Sequence, residues 1–184
     1  MGQARQKERL LRQAAIEEMG KWMVPAQEGE AELSAYLQGR KPIRIQRASD
    51  EDIKYMRMLP QQCHQNCITY KRLDPEKKSE IVSGWWCRGI AFVSHSVIRR
   101  DGVMFCITPY PYEDNWLDFI IDEDIKMIEG GEVVEFIRNG VDLPRFARLN
   151  PAETAAESAW VRSRLMSGMR IEKAMDMREY RHPV

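Results

Sequence analysis

The chain has 184 residues, is 43% hydrophobic, and balances 28 Lys and Arg against 28 Asp and Glu. That composition predicts one globular domain with a real core and excludes a disordered chain. The neutral balance leaves no net basic field to hold nucleic acid, and no apolar run is long enough to span a bilayer.

In chain order, Leu10, Leu11, Ala14, Ala15, Met19 and Met23 recur at helical steps and predict a helix over 3–23, ended by Pro25. Glu30 to Leu37 predicts a second, stopped by Gly39 and Pro42. Ile43 to Gln46 alternates as a short strand. Ser49, with Asp52 three residues on, caps a short helix that turns Tyr55, Met56 and Leu59 inward. After Pro60, the segment from Gln61 to Tyr70 reads as a loop entering a helix. Cys63 lies near its N-terminus, with Cys67 one turn on. Asp74 to Glu80 reads as a solvated loop.

From Ile81 to Thr108 short apolar strands are expected, separated by Gly84, Gly89 and the Arg100-Asp101-Gly102 turn. They form an antiparallel sheet that sets Cys106 to Thr108 beside His95. Pro109, Pro111 and Glu113-Asp114 mark its exit, and Leu117 to Ile121 adds a strand. Asp122 caps a short helix to about Ile128, broken by Gly130-Gly131. Glu132 to Arg138 predicts another, ended by Asn139-Gly140. Leu143 to Asn150 reads as irregular. Pro151 opens a long helix to about Met166, and residues 169–184 continue as helix before a tail. The expected organisation is a single domain over 1–184. It comprises a helical extension (1–40), an α+β core (42–148) and a C-terminal helical segment (151–184).

The first residues contain no secretory apolar stretch, and Gln6 stands where a myristoylation signal places Ser or Thr. A cytoplasmic protein is expected, its four cysteines being thiols, metal ligands or a nucleophile rather than disulfides. Cys63 at a helix start is favoured as a thiolate by the unpaired N–H groups there. His95 on a strand is the best base. Gln61 or Gln62 supplies an oxyanion donor beside the Cys63 N–H, and Thr108, Asp118 and Asn66 are open candidates to orient the histidine. Trp85 and Trp86 would line a substrate groove. His64, adjacent to Cys63, reads as a surface or supporting residue. Zinc held by some of Cys63, His64, Cys67, Cys87, His95 and Cys106 is the rival chemistry, but the spacing lacks the close Cys pairs of structural zinc sites. No metal and no cofactor is expected.

The run Cys63-His64-x-Asn66, Gly84-Trp85, His95-Ser96-Val97, Asp101-Gly102 and Ile107-Thr108-Pro109 resembles a group of small bacterial and phage proteins. Their motif order is similar to that of the papain-like and transglutaminase-like cysteine hydrolases. The resemblance covers about residues 60–122. It implies an α+β fold with an antiparallel sheet, a Cys-bearing helix, and flanking N- and C-terminal helices. It also implies Cys63 as nucleophile, His95 as base and Asn66 as polar neighbour. The implied activity is hydrolysis or acyl transfer at an amide or thioester-type bond of a small-molecule or protein substrate. The sequence departs from the pattern at Cys106, where the group carries an aspartate. The alternative is a non-enzymatic phage or mobile-element protein that binds a host partner through the Trp85/Trp86 sheet or the C-terminal helix.

Overall fold

The computed structural model describes residues 2–109, 115–130 and 133–180. The sheet exit expected at Pro111 and Glu113-Asp114, the break at Gly131, the helix start at Glu132 and the tail 181–184 lie outside them. The chain forms two compact units, one of residues 1–34 with 148–184, the other of residues 35–147.

Helices α1 (Gly2–Trp22) and α2 (Glu30–Gln38) form where the apolar recurrence predicts them. Strand β1 (Ile43–Arg47) leads to α3 (Asp50–Tyr55), capped by Ser49. The Asp52 N–H donates to the Ser49 hydroxyl at 3.0 Å. The inward residues of this segment differ from expectation. Ile53 and Met58 are buried, whereas Tyr55 and Leu59 are exposed. The helix stops after six residues, and Arg57 leaves it in a left-handed conformation (φ 54°), so the helical period does not carry through to Leu59.

Helix α4 (Cys63–Leu73) follows. The loop after it is not simply solvated. Asp74 is buried, and its carboxylate accepts the N–H groups of Glu76, Lys78 and Ser79 at 3.1, 3.0 and 2.9 Å and the Ser79 hydroxyl at 2.6 Å. These bonds hold its carboxyl near 2.

Four strands come next: β2 (Glu80–Arg88), β3 (Ala91–Arg100), β4 (Val103–Cys106) and β5 (Trp116–Ile121). The strand order runs β2–β5–β1–β4–β3, and β3 pairs again with β2. Five strands therefore close into a small barrel. Every pair is antiparallel except β1 with β4. The interior holds Ile45, Val82, Val97, Cys106, Leu117 and Phe119. Side chains of the opposite parity lie outside. There Ile98 and Ile107 pack with Ile53, Met58 and Cys67 beneath α3 and α4.

Gly84 does not separate two strands, as its place in the sequence suggests, but lies within β2 and faces the interior. A Cβ there would sit 2.7 Å from Phe119 Cζ and overlap the Ile120 carbonyl oxygen.

The two helices expected after Asp122 are strands instead. Strands β6 (Ile125–Gly130), β7 (Val133–Arg138) and β8 (Val141–Asp142) form a second, three-stranded sheet. Asn139 and Gly140 both have positive φ (51° and 83°), which is the two-residue hairpin turn rather than a helix stop. Asp122 is buried against Trp85 Nε1 (2.8 Å) and Arg138 Nε (2.7 Å), with its other oxygen on the Asp124 N–H at 3.2 Å.

Strand β9 (Phe146–Arg148) adds to β3 within the stretch expected to be irregular. Helix α5 (Pro151–Met166) matches its prediction, with Asn150 accepting the Glu153 N–H. Beyond it the expected long continuation is only α6 (Ile171–Ala174) and one 3-10 turn at Met177–Glu179.

In the helical unit, Val161, Leu165 and Ala174 pack with Ala15, Ile16 and Met19. Its buried ion pair joins Arg148 to Glu30 through two 2.8 Å bonds. The same guanidinium donates to the carbonyls of Trp22, Val24 and Pro25, which ties the end of α1 to the start of α2.

Gly84→Ala is expected to destabilise the protein by about 3 kcal/mol or more, because backbone and a buried ring meet the added methyl. A urea-unfolding midpoint measures this. A loss below about 1 kcal/mol would mean that the barrel widens there at little cost.

Candidate active site at the mouth of the barrel

Cys63 is the first residue of α4, and its Sγ lies 3.8 Å from the Ser94 carbonyl oxygen. Helix α4 covers the outer face of β3. Its His64 Nδ1 is 2.7 Å from Ser96 Oγ, and Cys67 packs against Ile98. His95 has the opposite parity and turns into the barrel, against the rings of Trp86 (5.6 Å) and Phe119 (6.4 Å). Cys63 and His95 thus sit on opposite faces of the sheet, and no hydrogen bond joins them. Burial raises the Cys63 thiol, and the helix start does not overcome it.

The other expected residues divide. Gln61 and Gln62 are exposed, and Gln62 makes no side-chain cap bond. Trp85 is fully buried on Asp122 and lines no groove. Asp118 alternates with the interior Leu117 and Phe119, so it points outward, where it accepts Arg44 Nε at 3.1 Å. It does not orient His95. Asn66 is buried: its amide bonds the N–H and carbonyl of Leu59 and reaches Thr108 Oγ1 at 3.4 Å. His64 is neither free nor on the surface. Its ring lies 4.3 Å from that of Phe136, and Ser96 in turn is 3.1 Å from Ser83 Oγ.

What the fold does bring together is His95 and Cys106. His95 Nε2 lies 3.3 Å from Cys106 Sγ. The Thr108 N–H and hydroxyl and the Arg47 charge all favour the thiolate form of Cys106. These four residues, with Trp86, Trp116 and Leu117, line a pocket at the barrel mouth with a cavity volume of about 20 Å³. That is room for a water or a very small group.

In the sequence Cys106 figures as a rival zinc ligand and as the departure from the aspartate pattern, and neither Arg47 nor Trp116 is singled out. The signal was available for Cys106. The Asp101-Gly102 turn pins Ile98 opposite Phe105, so Cys106 falls opposite Val97, diagonal to His95 on the same face.

Burial dominates the electrostatics. It pushes the Cys106 thiol up to about 11 and the His95 imidazole down to about 3. The resting pair is a neutral thiol and a neutral imidazole, not an ion pair. Among the described residues, no group of three His, Cys, Asp or Glu side chains is placed to hold a metal ion. No helix among them is long and apolar enough to cross a membrane. Comparison with protein-family models, characterised proteins and solved structures gave no match.

All four thiols are raised by burial, and Cys87 is the least enclosed of them. At neutral pH a thiol alkylator is therefore expected to label Cys87 first, and Cys63, Cys67 and Cys106 only slowly. Peptide mass spectrometry of a time course reads this, and Cys63 labelled first would contradict the geometry.

Acid should unfold the protein earlier than its carboxylates alone would. His64 is held at about 4 and His95 at about 3, both below their ordinary 6.5. Between those values and 6.5 the unfolded chain binds more protons than the folded one, so stability falls as pH drops. Each histidine contributes up to about 1.4 kcal/mol per pH unit in that window. Urea midpoints between pH 7 and 5 should decline, and His64→Gln should make the decline shallower.

Proposed function

We propose that the chain catalyses acyl transfer from an amide or thioester-type bond, to water or to another acceptor, with Cys106 as nucleophile and His95 as base. The observation that carries this reading is the 3.3 Å separation of Cys106 Sγ and His95 Nε2 inside a pocket. The likeness to papain-like and transglutaminase-like enzymes supports a thiol nucleophile and His95 as its base. Geometry argues for Cys106 over Cys63 as that thiol.

In the reaction, the Sγ–H proton passes to His95 Nε2 as sulfur bonds to the acyl carbon. The imidazolium then returns the proton to the leaving group. Water, deprotonated by the same imidazole, releases the acid and the free thiol. Arg47 is the cation that lines the pocket and faces the developing negative charge. Thr108 favours the thiolate and is itself held by Asn66, so both are positioning residues. The small cavity favours a short acyl group.

One observation favours a second reading, in which the mouth binds a host partner without chemistry. Both members of the pair are neutral and nearly closed off, whereas Trp116 at the rim is half exposed, with Arg44 stacked on it at 5.2 Å.

Incubation with a short-chain acyl thioester, followed by mass spectrometry of the acid-quenched protein, separates the two. The acyl reading expects one adduct on Cys106, lost in Cys106→Ser and at least about tenfold slower in His95→Gln. An adduct on Cys87 alone, or none, would sink it.

A further inference from the structure

Away from the barrel mouth, a second cavity of about 240 Å³ opens at the C-terminal end of α4. It is an order of magnitude larger than the pocket beside Cys106 and shares no residue with it. Lys71, Arg72 and Lys77 line it over an apolar floor of Ile68, Ile81 and Met127.

Nearby charges are already matched. Lys78 pairs with Glu76, and Arg100 with Glu76 and Asp74. None of the carboxylates whose side chains are described pairs with Lys71, Arg72 or Lys77.

The loop that presents Lys77 is fixed rather than loose. The buried Asp74 carboxylate clamps it through three backbone N–H groups and the Ser79 hydroxyl. Lys77 sits at φ 55°, a left-handed conformation that Gly or Asn takes more readily, and its Nζ donates to the Arg72 carbonyl oxygen at 3.1 Å. That bond satisfies one carbonyl at the helix end and so accounts for one of the three charges. It does not account for Lys71 and Arg72 at the same opening.

We infer that this cavity is a binding site for a small organic phosphate monoester. A phosphate monoester carries nearly two negative charges at neutral pH on a compact head, which the cations lining one cavity can match. The apolar floor takes the organic body. A nucleic-acid strand fits less well, because the cations line one cavity instead of following a stripe and the chain has no net charge.

Titration calorimetry of the full chain at low ionic strength, with phenyl phosphate, inorganic phosphate and benzyl alcohol as probes, tests this. Phenyl phosphate should bind about tenfold more tightly than inorganic phosphate, the ring adding burial on the floor. Benzyl alcohol should not bind. Lys77→Asn keeps a residue that tolerates the left-handed backbone and removes the charge. It should weaken phenyl phosphate binding about tenfold while the thermal midpoint holds or rises. Lys71→Gln, on the exposed helix surface, should weaken binding in the same direction and serves if Lys77→Asn fails to fold. No binding of phenyl phosphate at millimolar concentration overturns the site, as does undiminished binding in a folded variant. Equal affinity for inorganic phosphate, or binding of benzyl alcohol, overturns the ligand class.

Discussion

A barrel of five strands has a very narrow interior, and each strand alternates its side chains between that interior and the outside. In this protein the narrowness is met at Gly84, where Phe119 fills the space that a Cβ would take and the Ile120 carbonyl approaches closely. Closing β2 onto both β3 and β5 depends on that missing side chain. Once the barrel is closed, parity decides the chemistry. Val82, Gly84 and Trp86 face inward, as do His95 and Val97 across from them. Ser96 and Ile98 face outward, to α4. A one-residue slip of β3 would exchange the two sets and bring His95 under the helix that carries Cys63. The register is held against such a slip by the Asp101-Gly102 turn, whose two residues both take positive φ.

Much of the secondary structure was legible because period and punctuation agreed. Helices α1, α2, α4 and α5 and strands β1 and β3 to β5 fall where apolar spacing and the Pro, Gly and Asp-Gly signals put them, whereas Gly84 suggested a break that β2 does not have. Strands β6 and β7 were not legible in this way, for a physical reason. Segments of six residues such as Ile125–Gly130 and Val133–Arg138 are too short to separate a period of 3.6 from one of 2. Asn-Gly is likewise both a helix stop and a hairpin turn. The β-branched and aromatic content of Val133, Val134, Phe136 and Ile137 was the better guide.

Barrel closure had no local signal at all. The parallel pairing of β1 with β4 and the pairing of β1 with β5 join residues far apart in the chain. The same holds for Arg148, which reads as one more surface arginine until Glu30, 118 residues away, meets it in the interior. Removing either partner would strand a buried charge, which is why such a pair fixes a unit more firmly than its net free energy suggests.

The position of Cys106 shows how the interior shapes the candidate site. A thiol, not a carboxylate, stands beside His95. A carboxylate there would stay charged in apolar surroundings only by holding the imidazole protonated. A thiol lets both partners remain neutral, as the opposite shifts of Cys106 and His95 indicate. Neutrality sets the order of events for any reaction at this pair. A preformed thiolate attacks first and needs no proton transfer, whereas a neutral thiol must lose its proton to the imidazole as the new bond forms. Charge then appears only in the transition state, inside a cavity large enough for about one water. There the nearest fixed cation counts for more than it would in solvent, and that cation is Arg47, held at the end of β1 by Asp50.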